Sequence, residues 1–130
     1  MTDKDYICSA RRVLSALSRN QTEFVGRFLF NHGLASGPFA RYGATHGLEM
    51  FFIFDTVEAT AVNPQTADDR VLVKAFQTTW SIFARTGTAP NSWDRYDVAN
   101  DNYRILNTPM SSGDHLRKTQ CDFWDLQPAP

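Results

Sequence analysis

The chain has 130 residues, a formal net charge of −1, and 42% apolar, 21% charged and 13% aromatic residues. That length suits one ordinary domain and is too short for two. The aromatic share excludes a disordered chain, which lacks the large side chains that offset ordering entropy. Near-neutral charge without a basic run excludes recruitment of phosphate backbones or anionic lipid by charge.

The first five residues, Met1-Thr2-Asp3-Lys4-Asp5, are polar and acidic, with no apolar segment of signal-peptide length behind them. From Ile7 to Ser18 the apolar positions Ile7, Ala10, Val13, Leu14 and Leu17 fall on one helical face. Arg11, Arg12 and Ser15 fall largely outside it, so the pattern predicts an amphipathic helix that Asn20-Gln21 ends. Asn20-Gln21-Thr22 matches the N-glycosylation acceptor pattern, which makes Asn20 a candidate for modification. Glu23 to Phe30 reads as a strand. Its apolar residues show little alternation, as in a strand covered on both faces.

Residues 33–48 are punctuated by Gly33, Gly37-Pro38, Gly43 and Gly47 and read as a loop. Loops of this kind beside a buried strand often carry functional side chains. The apolar run Met50-Phe51-Phe52-Ile53-Phe54 is the longest in the chain. It is core-sized, far short of the roughly 18–20 residues that span a bilayer. Ala67 to Arg85 has the clearest helical signature. Thr66 is placed to cap it, Asp68 and Asp69 sit in the first turn, and Gly87 is placed to end it. Its expected stripe is Val71, Leu72, Ala75, Phe76, Trp80, Phe83 and Ala84. Pro90-Asn91 begins an irregular stretch bearing Trp93 and Tyr96. Tyr103 to Leu106 is a short strand, His115 to Trp124 a short helix, and Gln127 to Pro130 a frayed end. Two cysteines, Cys8 and Cys121, read from count alone as unrelated buried thiols. No repeat occurs, and no His/Cys/Asp/Glu cluster has metal-ligand spacing.

Several segments together resemble the C-terminal part of the cholinesterase and type-B carboxylesterase family, of the α/β-hydrolase class. The most specific is Gly43-Ala44-Thr45-His46-Gly47-Leu48-Glu49, followed by the aromatic run to Phe54. In that family a Gly-x-x-His-Gly-x-Glu loop supplies the catalytic histidine. Trp80-Ser81-Ile82-Phe83-Ala84-Arg85-Thr86-Gly87, with Pro90-Asn91 and Trp93 beyond it, also matches, as do Cys121-Asp122-Phe123-Trp124 and Phe28-Leu29-Phe30-Asn31-His32. The matches run in family order along nearly the whole chain. The resemblance implies an α/β fold, here a C-terminal fragment made mainly of helices with one or two core strands. It also implies that residues 1–130 are an incomplete part of a type-B carboxylesterase domain.

The family's ester hydrolysis uses a serine that an imidazole deprotonates, an acid that orients the imidazole, and backbone N–H groups for the oxyanion. In α/β-hydrolases the three side chains come in chain order serine, acid, histidine. The resemblance puts His46 in the place of the base. It makes Glu49 a residue that braces the loop, with a solvated surface carboxylate as the plain alternative, since the family's acid lies far upstream. Leu48 and Phe51 either line the acyl or alcohol pocket of the whole enzyme or simply pack in the core. The family often joins cysteines at the places of Cys8 and Cys121, which implies a bridge between residues 113 apart. His32 reads as structural at a strand end and His115 as a residue at a helix start. Trp80, Phe83, Trp93 and Trp124 read as packing.

No Gly-x-Ser-x-Gly elbow occurs, and Ser9, Ser15, Ser18 and Ser36 before His46 lack that context. Asp3, Asp5 and Glu23 are the acids before His46, and none matches the family position. The expected function is therefore a segment of a serine carboxylic ester hydrolase that carries the base and is inactive alone. Its partner is a small-molecule ester in the full-length enzyme, with no metal, cofactor, nucleic acid or membrane segment. A non-catalytic, cholinesterase-like binding or adhesion module is the alternative. A free-standing domain ranks last, because the strand at 23–30 lacks sheet neighbours. The implied bridge and the sequon at Asn20 point to a secreted or periplasmic full-length protein. Oligomeric state stays open.

Overall fold

A computed structural model describes residues 2–60, 65–90 and 93–127. Asn91 and the expected frayed end at 128–130 lie outside the described residues. A π-helical turn, Asp3–Ile7, leads into α1, Cys8–Asn20. Then come β1, Phe28–Phe30, a 3-10 turn at Ala40–Tyr42, α2, Glu49–Ile53, and a second 3-10 turn at Val57–Thr60. The rest is α3, Ala67–Thr86, β2, Tyr103–Leu106, β3, Ser111–Gly113, and α4, Lys118–Asp125. About half the chain is helical, and the strands form one small sheet in the order β1-β2-β3, compatible with part of an α/β fold.

The expected long helix forms as read. Thr66 accepts the Asp69 N–H at 3.1 Å through its hydroxyl, and the Asp69 carboxylate accepts the Thr66 N–H at 2.8 Å. This reciprocal box satisfies two donors that the first turn leaves open. Gly87, at φ +69°, ends the helix in the left-handed region and donates to Phe83 O at 2.8 Å. The buried face differs from the expected stripe. Leu72, Val73 and Phe76 are buried, whereas Val71 and Phe83 are exposed. Val73 joins the core with Leu48, Phe52 and Val57, on the side where α2 packs against this helix.

The expected strand at 23–30 shrinks to Phe28–Phe30. Its parallel partner β2 is itself short, pairing Phe28 with Arg104, Leu29 with Ile105 and Phe30 with Leu106. Upstream, Val25 O accepts from Tyr96 N at 2.7 Å and Arg27 O from Arg104 N at 2.9 Å, so this backbone is paired without being a strand. Nor is β1 covered on both faces, since Phe28 is exposed. The antiparallel strand β3 had no sequence signal. It pairs Tyr103 with Gly113, where an added Cβ would come within 2.7 Å of the Tyr103 ring.

Helix α1 is rotated relative to its expected apolar face. Val13 and Leu17 are exposed, while Cys8 is buried and Arg11 and Ser15 point inward. The reason is bonding to distant parts of the chain. Ser18 Oγ donates to Tyr96 O at 3.1 Å, Ser15 Oγ lies 3.5 Å from Tyr96 Oη, and Arg11 reaches Asp122 and Asp125 of α4. The Cys8–Cys121 disulfide, with Cα atoms 5.0 Å apart, fixes that face against α4. This is the bridge the resemblance implies. The last helix starts at Lys118 rather than His115, because His115 and Arg117 both have positive φ.

The main core gathers Leu34, Leu48, Phe52, Val57, Leu72, Val73, Phe76 and Leu106, with Phe30, Ile53, Trp80 and Trp93 against it. A second buried group is polar. Arg27 pairs with Asp101, and Tyr96 Oη donates to the same Asp101 oxygen at 2.7 Å. Asp101 Oδ2 is buried without a partner among the described residues. Of the packing tryptophans and Phe83, Trp80 and Trp93 lie against the core, while Phe83 edges onto Phe24 at 6.2 Å and Trp124 lies under Lys4 at 5.5 Å.

Candidate functional site

His46 lies in the turn between the 40–42 segment and α2. Leu48 N donates to Thr45 O at 3.1 Å and Met50 N to Gly47 O at 3.2 Å, closing the turn around it. Further back, Gly33 sits against Gly43, where a Cβ would come within 3.0 Å of the Gly43 backbone. The base of the loop is thus pinched by backbone contact that only glycine permits. Leu48 and Phe52 anchor the following turn in the core.

The His46 side chain is exposed. Its ring packs on Tyr6 from the N-terminal turn, with centroids 5.0 Å apart and planes tilted by 39°. Among the described residues its nitrogens make no hydrogen bond. Glu49, half-buried in the first turn of α2, makes none either, so the two are not brought together by a bond. Of the pocket candidates, Leu48 is buried in the core and Phe51 is partly exposed. Asn20 ends α1 in the open, and its side-chain amide donates to Ala16 O at 2.7 Å. His115 is exposed beside Asp114.

His32 is the histidine with a full set of partners, and sequence reasoning had only its place at a strand end. Its Nε2 lies 2.8 Å from Asp69 Oδ1 and its Nδ1 3.0 Å from Asn107 Oδ1. A ring with both nitrogens engaged has no free lone pair for general-base work. Burial pushes the Asp69 carboxyl up, yet the Thr66 hydrogen bonds and His32 outweigh it and hold the carboxyl below its usual value. Capping chemistry at Thr66-x-x-Asp69 was legible, but nothing in the sequence tied it to a histidine 37 positions away.

An apolar cleft of about 200 Å³ between β1 and α3 is lined by Phe24, Phe28, Trp80, Phe83 and Trp93. His46 is not among its lining residues. Among the described residues no group of three or more His, Cys, Asp or Glu side chains is placed to hold a metal. No helix among them is long and apolar enough to cross a membrane.

The family model described as "Carboxylesterase family" matches residues 1–124, the loop with His46 and both cysteines included. The chain belongs to the carboxylesterase family. Membership places it in an ester-hydrolase lineage and accounts for the order of the motifs around His46. Among curated relatives, the bile salt-activated lipase of Bos taurus is 36% identical over 92 residues, covering 63% of this chain and 15% of that protein. The bile salt-activated lipase of Rattus norvegicus is 30% identical over 108 residues, and that of Mus musculus 29% over 110. Each of these covers 75% of this chain and 18% of the relative. The chain thus spans less than a fifth of the length of the relatives it matches.

Proposed function

We propose that residues 1–130 are the C-terminal part of a type-B carboxylesterase domain of α/β-hydrolase fold, and that His46 is its general base and acid. The family match across residues 1–124 carries this reading, because that range includes the Gly43–Glu49 loop. The exposed imidazole, free of hydrogen bonds among the described residues, supports it. Such a ring has a lone pair open to a serine hydroxyl and an N–H open to a carboxylate.

In the complete enzyme, His46 takes the proton of an upstream serine as that oxygen attacks the ester carbonyl. It then hands the proton to the departing alkoxide, and the same exchange with water releases the acid. Glu49 braces the turn after His46, and Phe51 borders the substrate pocket. The substrate is a carboxylic ester. The chain by itself lacks the nucleophile and is inactive.

Two measurements test this. The purified chain should not turn over a chromogenic short-chain ester, and turnover that disappears on His46→Ala would overturn the claim of incompleteness. In a protein extended by the DNA upstream of Met1, an in-frame Gly-x-Ser-x-Gly should appear and His46→Ala should remove activity. Full activity in that variant would dismiss His46 as the base.

A further inference from the structure

His32 ends the backbone run of β1 and opens the loop that leads to His46. Its side chain is 13% exposed and lies edge-on to Phe30 and Phe52, with centroids 6.4 and 5.5 Å away. The atom of Asn107 that meets Nδ1 is fixed by its other partner. That Oδ1 also accepts the Thr108 N–H at 2.8 Å, which an amide nitrogen cannot do. Nδ1 is therefore a donor. The Asp69 carboxylate accepts both the N–H and the hydroxyl of Thr66 on its other oxygen, at 2.8 and 2.7 Å, as an ionised group does. A bare imidazole lone pair aimed at that carboxylate from 2.8 Å would be repelled by it, so Nε2 is a donor as well.

We propose that His32 donates from both ring nitrogens at once, as a clasp joining the end of β1 to the cap of α3 and the turn after β2. Among the described residues, Asp69 of α3 is the titratable group within hydrogen-bond reach of the ring. Asn107 supplies a neutral acceptor from the turn after β2, and β1 and α2 contribute only the rings of Phe30 and Phe52. A neutral ring can satisfy one acceptor and must turn a lone pair on the other. The clasp does not depend on the role of His46, so either proposal can fail without the other.

The test uses the ¹⁵N-labelled chain with its disulfide intact. Nitrogen-detected NMR should show two ring N–H groups for His32 at neutral pH, assigned by their loss in His32→Gln and protected from solvent exchange. A single N–H on a neutral ring would overturn the proposal. Urea unfolding gives a second readout. At neutral pH, His32→Gln should raise the unfolding constant roughly tenfold or more. An unfolding constant unchanged by the substitution would also overturn it. Should His32→Gln fail to fold, Asn107→Ser keeps the question open to measurement. It should strip protection from the Nδ1 proton and leave the Nε2 proton in place. Any other pattern overturns the clasp.

Discussion

The disulfide end of the molecule and the face around His46 follow opposite rules. At the disulfide end, Cys8 and Cys121 are fully buried, and four basic side chains find carboxylates. Arg11 meets Asp122 and Asp125, Arg12 meets Asp125, Lys118 meets Asp122, and Arg117 meets Asp3. Around His46, the segment from 39 to 54 exposes Phe39, Tyr42, Met50, Phe51 and Phe54, and among the described residues the imidazole packs on the ring of Tyr6 and makes no hydrogen bond. The first region is satisfied within this chain. The second offers apolar surface and an exposed imidazole, which is the kind of surface that meets a partner or ligand.

The sharpest way to break that contrast is at the disulfide. Replacing both cysteines by serine should lower stability by about 4–5 kcal/mol, since the bridge closes a loop on the order of 100 residues in the unfolded chain. Urea or thermal unfolding with and without reductant measures it, and an unchanged midpoint would show that the ion pairs hold α1 on α4 unaided. Next in size is Phe52→Ala, at about 3–5 kcal/mol. Phe52 is fully buried and meets Phe30, His32 and Phe76, so its loss opens a cavity beneath the histidine loop. Denaturant unfolding should show this loss, with the disulfide end retaining its protection from hydrogen exchange.

Legibility in the sequence followed the range of the interaction. Thr66, Asp69 and Gly87 marked the ends of α3 within one residue, because caps act between neighbours in the chain. Tyr103–Leu106 was legible from its own β-forming residues. The true extent of β1 was not, because a strand's length depends on a partner that lies about 75 residues further on. The rotation of α1 was hidden for a similar reason. Its inward face is set by Tyr96, Asp122, Asp125 and Cys121, and no periodicity in residues 7–18 reports on them. The disulfide followed from family resemblance, not from the cysteine count. At the site, motif order led to His46, but the partnership of His32 with Asp69 and Asn107 left no pattern to read.

Smaller effects sharpen the boundary between the two regions. Thr66→Ala should cost about 1 kcal/mol, and up to about 2, by freeing the Asp69 N–H and removing the hydroxyl's hydrogen bond to the Asp69 carboxylate. The Asp69 and Asp125 carboxyls are both held below the ordinary 3.8, burial opposing the charge while hydrogen bonds from Thr66 and His32, or from Arg12 and Arg11, prevail. A carboxyl depressed in the folded state contributes stability above the unfolded value and loses it as pH falls through the folded value. The melting midpoint should therefore hold steady down to about pH 4 and fall below it. Asp125→Asn should shallow that fall at the disulfide end. An acid limb identical to the parent's would remove Asp125 from the account.

The smallest expected effect is at the residue with the largest proposed role. His46 is exposed, with one ring contact and no hydrogen bond among the described residues, so His46→Ala should change stability by no more than about 0.5 kcal/mol. His32, fourteen positions earlier, should respond far more strongly to the loss of its ring. A melt of each variant against the parent makes the comparison directly. If His46→Ala proves as damaging as Phe52→Ala, the loop depends on that ring for its shape, and any loss of esterase activity in an extended enzyme would then reflect loop collapse. If His46→Ala leaves the melt untouched while abolishing turnover in the extended protein, the loss belongs to proton transfer.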